Sequence, residues 1–211
     1  TKGLDPTVGG PRARAHALET LRGTVSEIDA RVATVVEGLR RNGLVPVVIG
    51  GGHNNAYGIL AGCARAAGTP MGCVNVDLHA DLRPCEGRHS GNPFTYARAD
   101  GHLARYAIAG MGEAWATQDI IHAIEQDAEI AAFTFETMLR NGSTPRHIAQ
   151  QAADHVAGAP ATLELDLDAV AQAPASAAAA SGFSRRCLLS IHSDEAMITL
   201  GPASFVVSAS I

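Results

Sequence analysis

Gly72-Cys73-Val74-Asn75-Val76-Asp77-Leu78-His79-Ala80-Asp81 is the stretch on which the fold turns. Gly72 to Asp77 is a short, mostly apolar run with β-branched residues at its centre, so it reads as a strand. It ends abruptly in Asp-x-His-x-Asp, whose alternation would put three polar side chains on one side of an extended segment. Upstream, the residues from His53 to Ala67 read as a helix. Before them, Leu44 to Ile49 reads as a Val-rich strand running straight into Gly50-Gly51-Gly52-His53, with Pro46 tolerable near its start or at a sheet edge. Earlier still, Leu18, Leu21, Val25, Ile28, Val32, Val35 and Leu39 recur at helical spacing and predict one apolar face of a long helix that stops at Arg40, Arg41, Asn42 and Gly43.

Downstream of Asp81 a polar loop extends through Asn92. Arg105 to Ala109 and Ile130 to Phe135 read as strands with a helix, Gln118 to Gln126, between them. Ser143, Thr144 and Pro145 open a further helix, with a hydroxyl cap and proline in the first turn. Thr162 to Leu167 is a strand ending in Asp166-Leu167-Asp168. Ala169 to Gly182 reads as a loop, and Leu188 to Ile191 and Phe205 to Ser208 as two last strands. Alternating strand and helix predicts an α/β fold: a three-layer α/β/α sandwich around a mainly parallel sheet, forming one domain over 1–211.

The bulk numbers exclude several classes. The chain has 211 residues, 46% hydrophobic and 18% charged, which fits a globular core rather than a disordered segment. A net charge of −5 without a Lys/Arg stripe argues against a nucleic-acid partner. No apolar run reaches the length of a membrane span, and the polar first residues lack a signal-peptide core, so the expectation is no membrane partner and a cytoplasmic location. Cys63, Cys73, Cys85 and Cys187 are scattered without CxxC spacing, which fits a reducing compartment better than a zinc ribbon or disulfide framework. Thr1 in place of Met leads to the expectation that an N-terminal piece precedes this sequence.

The chemistry is concentrated at three strand ends: His53, then Asp77, His79 and Asp81, then Asp166 and Asp168. Carboxyl ends of neighbouring parallel strands converge on one crevice, so these residues are expected to share a site. Four carboxylates and two imidazoles there would repel and desolvate one another without cations. Oxygen and imidazole ligands without thiolate suit Mn²⁺ or another hard divalent ion. Six ligands exceed the need of one ion with an open position. Two ions about 3.5–4 Å apart could share a water and lower its pKa enough to supply hydroxide. Taken singly, a GGGH turn is usually a tight turn with a surface histidine, and an Asp pair at a strand end is usually a helix cap or solvated loop. Occurring together, each after a predicted strand, they make that coincidence improbable.

Gly50-Gly51-Gly52-His53, Asp77-Leu78-His79-Ala80-Asp81 and Asp166-Leu167-Asp168 resemble the three signature motifs of the ureohydrolases, the superfamily of arginase and agmatinase, over about residues 44 to 196. The resemblance implies two manganese ions per subunit. His53, Asp77, Asp81 and Asp166 would hold one and Asp77, His79, Asp166 and Asp168 the other, with Asp77 and Asp166 bridging. Asp81-Leu82-Arg83, Ser90-Gly91-Asn92-Pro93-Phe94, Pro174-Ala175-Ser176-Ala177 and Ser181-Gly182-Phe183-Ser184 look like the formimidoylglutamase branch. Arginases carry histidine where Phe94 stands. The resemblance therefore implies hydrolysis of N-formimidoyl-L-glutamate to L-glutamate and formamide, with a small amidine or guanidine as the partner molecule and a homo-oligomer as the assembly.

By the same resemblance Ser90 and Asn92 would hold the carboxylate end of the substrate, and Glu195, in a late His-x-x-Glu-like segment, the amidine nitrogens. Arg83 is a further candidate for that carboxylate, because a guanidinium fork matches it bidentately; the rival reading pairs Arg83 with Glu86. His89 could shuttle a proton or be a plain loop histidine. Asp81, Glu195 and His89 are thus the catalytic candidates. The chain is shorter than the family norm, with only a brief spacer between Ser184 and Ser190, and Asn54 and Asn55 replace the usual pair after the histidine. Two other readings stay open: a hydrolase of agmatine or another guanidine that releases urea, and a catalytically silent metal-binding homologue.

Overall fold

The computed structural model describes residues 10–173, 182–184 and 207–210. In chain order the elements are α1 (Pro11–Arg41), β1 (Val47–Ile49), α2 (Asn55–Ala67), β2 (Met71–Val76), α3 (Pro93–Ala99), β3 (Leu103–Met111), α4 (Gln118–Gln126), β4 (Ile130–Thr134), α5 (Phe135–Arg140), α6 (Pro145–Val156), β5 (Ala161–Asp166) and β6 (Val207–Ser210). The strands form one sheet in the order β1-β6-β5-β2-β3-β4, and every described pairing is parallel.

The six residues of β2 are all buried, as expected of a strand covered on both faces. Its alternating side chains feed two cores. Met71 and Cys73 join a cluster with Ile59 and Leu60 of α2, Phe94 and Ala97 of α3, and Tyr106 and Ile108 of β3. Val74 and Val76 join another with Met138 of α5 and Ile148, Ala152 and Val156 of α6. The result is the expected three-layer α/β/α sandwich.

The topology also fixes where a site can form. From β2 the chain builds outward through β3 and β4, then returns to lay β5 on the other side of β2. The order reverses between β2 and β5, and at such a switch point the connections leave in opposite directions and open a crevice at the carboxyl ends. Val76 pairs with Leu165, so Asp77 and Asp166 are the next residues on neighbouring strands at that crevice.

Several expectations are corrected. The buried side of α1 is Ala17, Asp29, Ala33 and Val36, whereas Leu18, Leu21, Ile28 and Val35 of the predicted stripe are exposed among the described residues. The cause is α2: a Cβ at Gly58 would lie 2.7 Å from the Asp29 carbonyl, and one at Gly62 2.6 Å from the Ala33 carbonyl. Only small or locally satisfied groups fit an approach that close. At Phe135 the strand ends and α5 begins, because Thr134 caps the helix by accepting from the Thr137 N–H. The helix α3, begun by Pro93, had no counterpart in the sequence reading. Of the last two predicted strands, Leu188 to Ile191 lies outside the described residues, and the other appears slightly later as β6.

Candidate metal centre

Three loops deliver the acidic and imidazole side chains. Gly50 and Gly51 have φ of 89° and 81°, a backbone that side chains with Cβ rarely adopt, and this bend carries His53 back over the sheet from β1. His53 is 4% exposed and Asp77 fully buried. The Nδ1 of His53 faces three carboxylates at once: Asp81 Oδ2 at 2.9 Å, Asp77 Oδ2 at 3.3 Å and Asp166 Oδ2 at 3.3 Å. Nδ1 of His79 lies 2.9 Å from Asp168 Oδ2 and 3.6 Å from Asp77 Oδ1. All six side chains of the sequence reading are brought together.

The segment after β2 is not extended, which corrects the alternation argument. The strand ends at Val76, and the His79 N–H donates to Asp77 Oδ1 at 2.7 Å, closing a turn. Asp168 N–H donates to Asp166 Oδ1 at 3.0 Å in the same manner. Asp81 has a left-handed φ of 49°, which Asp accepts more readily than most residues.

The electrostatics record the crowding. Burial alone would lower the His53 pKa, yet the nearby carboxylates of Asp166, Asp77 and Asp81 outweigh it and hold the pKa well above its ordinary value. His79 is raised to about 10, chiefly by Asp168 and then Asp77. Burial would raise Asp77, but the two histidines bring it well below the carboxylate range. Burial lifts Asp81 to about 6 and raises Asp168 as well.

The donors fit divalent ions. Among the described residues, two overlapping groups each bring one donor atom per residue to within 4.8 Å of the others: His53, Asp77 and Asp166, and Asp77, His79 and Asp168. Neither ring nitrogen of buried His53 makes an angularly sound hydrogen bond, although Nδ1 is surrounded by carboxylate oxygens. A cation among those oxygens would satisfy both partners, and the all-O/N donor set suits a hard divalent ion such as Mn²⁺.

The other candidates are placed differently. Arg83 Nη2 donates to Glu86 Oε1 at 2.7 Å, the rival arrangement, and its backbone N–H bonds Gly91 O at 3.0 Å. Ser90 is exposed on the same turn. Asn92, fully buried, accepts at Oδ1 from Arg88 and the His89 N–H and donates from Nδ2 to the carbonyls of Pro84 and Gly87. That amide organises the turn and has no donor left for a ligand. His89 accepts at Nδ1 from the Gly91 N–H and contacts Glu86 Oε1 through Nε2 at 3.1 Å. Both nitrogens are engaged within the turn. Glu195 lies outside the described residues, as do Pro174 to Ala177, Ser181 and the Ile191 to Ala196 segment.

Arg88, Asp29, Trp115 and Tyr106 went unnoticed in the sequence. Arg88, 5% exposed, pairs with buried Asp29 of α1 at 2.8 Å, donates to Asn54 O at 3.0 Å, and lies over the rings of Tyr57 and Tyr96. It ties the 83–92 turn to α1 and α2. Asp29 stands on the helix face that the apolar count misassigned, which was the available signal. Trp115, 49% exposed, meets His79 edge-on at 5.6 Å. Phe94 stacks on Tyr106 at 4.2 Å and presents its edge to His53 at 5.4 Å, walling that flank with apolar surface.

Comparison with known proteins returns the same fold and a family. The chain belongs to the arginase family, whose sequence profile matches residues 11–196. Within it, a formimidoylglutamase of Nocardia farcinica is 38% identical over 104 residues, 47% of this chain and 34% of that protein. A formimidoylglutamase of Geobacillus kaustophilus is 33% identical over 147 residues, 66% of this chain and 43% of the relative. The chain thus spans well under half the length of the curated relatives it matches. Among solved structures, Trypanosoma cruzi formiminoglutamase with Mn²⁺ superposes with a TM-score of 0.72 at 22% identity, over 88% of this chain and 63% of that one. Bacillus subtilis formimidoylglutamase gives 0.72 at 19% identity, over 86% and 58%. Those superpositions establish the shared fold.

Proposed function

We propose that this chain forms the two-manganese centre of a hydrolase that cleaves a C–N bond in a linear amidine, with N-formimidoyl-L-glutamate as substrate and L-glutamate and formamide as products. The observation that carries the proposal is Asp77, whose carboxylate belongs to both candidate ligand groups. Such sharing is what a bridged pair of ions requires and a single structural ion does not. His53, Asp77, Asp81 and Asp166 would hold one ion, and Asp77, His79, Asp166 and Asp168 the other. When bound, two such ions supply an acidified water as nucleophile and positive charge where the amidine carbon becomes tetrahedral.

The protein's own groups do the positioning. Phe94 and Tyr106 keep water from the His53 flank. Phe94 cannot carry a proton, and where arginases have histidine this favours an amidine over the arginase reading. Arg83 would exchange Glu86 for the substrate carboxylate, with Ser90 beside it on the turn. Support for formimidoylglutamate over other amidines comes from the two relatives described above, both formimidoylglutamases.

The test strips the protein with chelator, reloads it with Mn²⁺, counts bound metal by elemental analysis, and measures formamide and urea released from a panel of amidines and guanidines. Two ions per chain and formamide from formimidoylglutamate are expected. Urea from agmatine or guanidinobutyrate would move the substrate to a guanidine, and two ions without turnover would make the chain a silent homologue. Failure to retain any transition metal would overturn the reading.

A further inference from the structure

We propose that Asn75 and Tyr106 are positioning residues that hold the candidate metal loop in shape through one continuous hydrogen-bond chain. Both side chains are fully buried. The Asn75 amide gives one N–H to Asp77 Oδ2 at 2.9 Å and the other to the Tyr106 hydroxyl at 2.9 Å. The Tyr106 hydroxyl in turn donates to the Ala80 carbonyl at 3.0 Å. The bonds diverge from the Asn75 amide, which donates on both sides, and the Tyr106 hydroxyl accepts from it and donates onward, so the Asn75–Tyr106 and Tyr106–Ala80 bonds polarise each other. The two ends of the chain grip the two ends of the Asp77 to Asp81 loop: the shared carboxylate and the peptide immediately before Asp81.

The orientation of Asn75 is informative. Its Oδ1 has no hydrogen-bond partner among the described residues, a cost that a buried amide usually avoids by turning over. Turning over would set Oδ1 against the Asp77 carboxylate and leave the Tyr106 hydroxyl without its donor. The N–H edge is therefore held toward the carboxylate, leaving one oxygen unmatched. Residues that hydrogen-bond metal ligands fix the ligand's direction, and removing them typically weakens metal affinity by roughly 10- to 100-fold. The stacking of Tyr106 on Phe94 sets the ring, so the hydroxyl can be removed without moving it.

This inference rests on the two-metal reading, and the experiment separates the two. Metal-stripped chains carrying Tyr106→Phe, Asn75→Leu or Tyr57→Phe are titrated with Mn²⁺ by calorimetry beside the unaltered chain, and the thermal midpoint of each metal-free form is recorded. Tyr57→Phe is the comparator, since its hydroxyl bonds Asp100 after α3 at 2.6 Å. Expected are Mn²⁺ binding weakened about 10- to 100-fold by Asn75→Leu and roughly two- to tenfold by Tyr106→Phe, with no change for Tyr57→Phe at a comparable metal-free stability. Unchanged Mn²⁺ affinity in Tyr106→Phe, or equal weakening in Tyr57→Phe, overturns the positioning role even if Asn75→Leu does not fold. If the unaltered chain binds no Mn²⁺, it is the two-metal reading that falls.

Discussion

The same mutation, glycine to alanine, should change sign between the two helices that pack beneath the site. Gly23 and Gly38 of α1 have nothing within 4 Å of an added Cβ, so Gly→Ala there gains helix propensity, up to about 1 kcal/mol each. At Gly62 of α2 an added Cβ would meet the Ala33 carbonyl at 2.6 Å, the Val36 Cβ at 2.8 Å and the Glu37 nitrogen at 3.0 Å. Two of those atoms belong to the α1 backbone and cannot rotate away, so the helices must separate by several tenths of an ångström. Overpacking of this kind costs about 1–3 kcal/mol, which offsets or exceeds a propensity gain of about 1 kcal/mol and leaves Gly62→Ala destabilised by up to about 2 kcal/mol. In a protein of this size each 1 kcal/mol moves the thermal midpoint by about 2–4 °C. Urea and thermal denaturation of Gly38→Ala, Gly62→Ala and Gly58→Ala would read the difference directly. Because α2 follows the loop bearing His53, Gly62→Ala should also weaken Mn²⁺ binding. Stabilisation by Gly62→Ala equal to that by Gly38→Ala would refute the account of how α1 and α2 meet.

Three further outcomes are expected. Elemental analysis should find that Asp77→Asn retains no manganese, while Asp168→Asn keeps about one ion, because Asp77 belongs to both ligand groups and Asp168 to one; equal losses would contradict the sharing. Trp115→Ala should raise KM about two- to fivefold with kcat little changed, the worth of an aromatic face beside a cation at a half-exposed position; an effect confined to kcat would place Trp115 elsewhere in the reaction. Glu113 is drawn down to about 2, first by Arg140 and then by Thr134. Its folded value lies below its unfolded one, so its contribution is complete above the ordinary 4.5 and disappears as pH falls toward 2. The stability gap between the unaltered chain and Glu113→Gln should therefore close across that window, and a gap independent of pH would show that the Arg140 contact does not hold the loop carrying Trp115.

The sheet was legible because its strands carry their own punctuation: apolar runs that stop at Gly50, Asp77 and Asp166. The capped start at Thr144 was legible too, since a hydroxyl ahead of a helical pattern satisfies the first free N–H groups. What could not be read was set by partners distant in sequence. The larger apolar residues of α1 predicted a buried face, but Gly58 and Gly62 admit the α1 backbone so closely that Ala17 and Ala33 take that side. Arg83 was weighed as the loop's significant arginine, whereas the buried one is Arg88, whose partner Asp29 stands 59 positions away. Tyr106 likewise gives no signal until β3 is laid against β2.

The spacing shared by Asp-x-His and Asp-x-Asp follows from turn geometry rather than strand alternation. In each motif the first aspartate accepts, through Oδ1, the backbone N–H two residues on, which is the bond an Asp side chain makes in place of a backbone turn. One intervening residue is what that ring requires. Closing it commits Oδ1 and leaves Oδ2 directed outward: Asp77 Oδ2 and Asp166 Oδ2 both stand 3.3 Å from His53 Nδ1. The same turn carries the next side chain round to the second group, so His79 and Asp168 meet at 2.9 Å. Because β2 and β5 are parallel neighbours in register at Val76 and Leu165, two copies of one local turn, side by side at the switch point, produce a paired site. His53 closes it from β1, so that two ligand groups stand against a shared carboxylate.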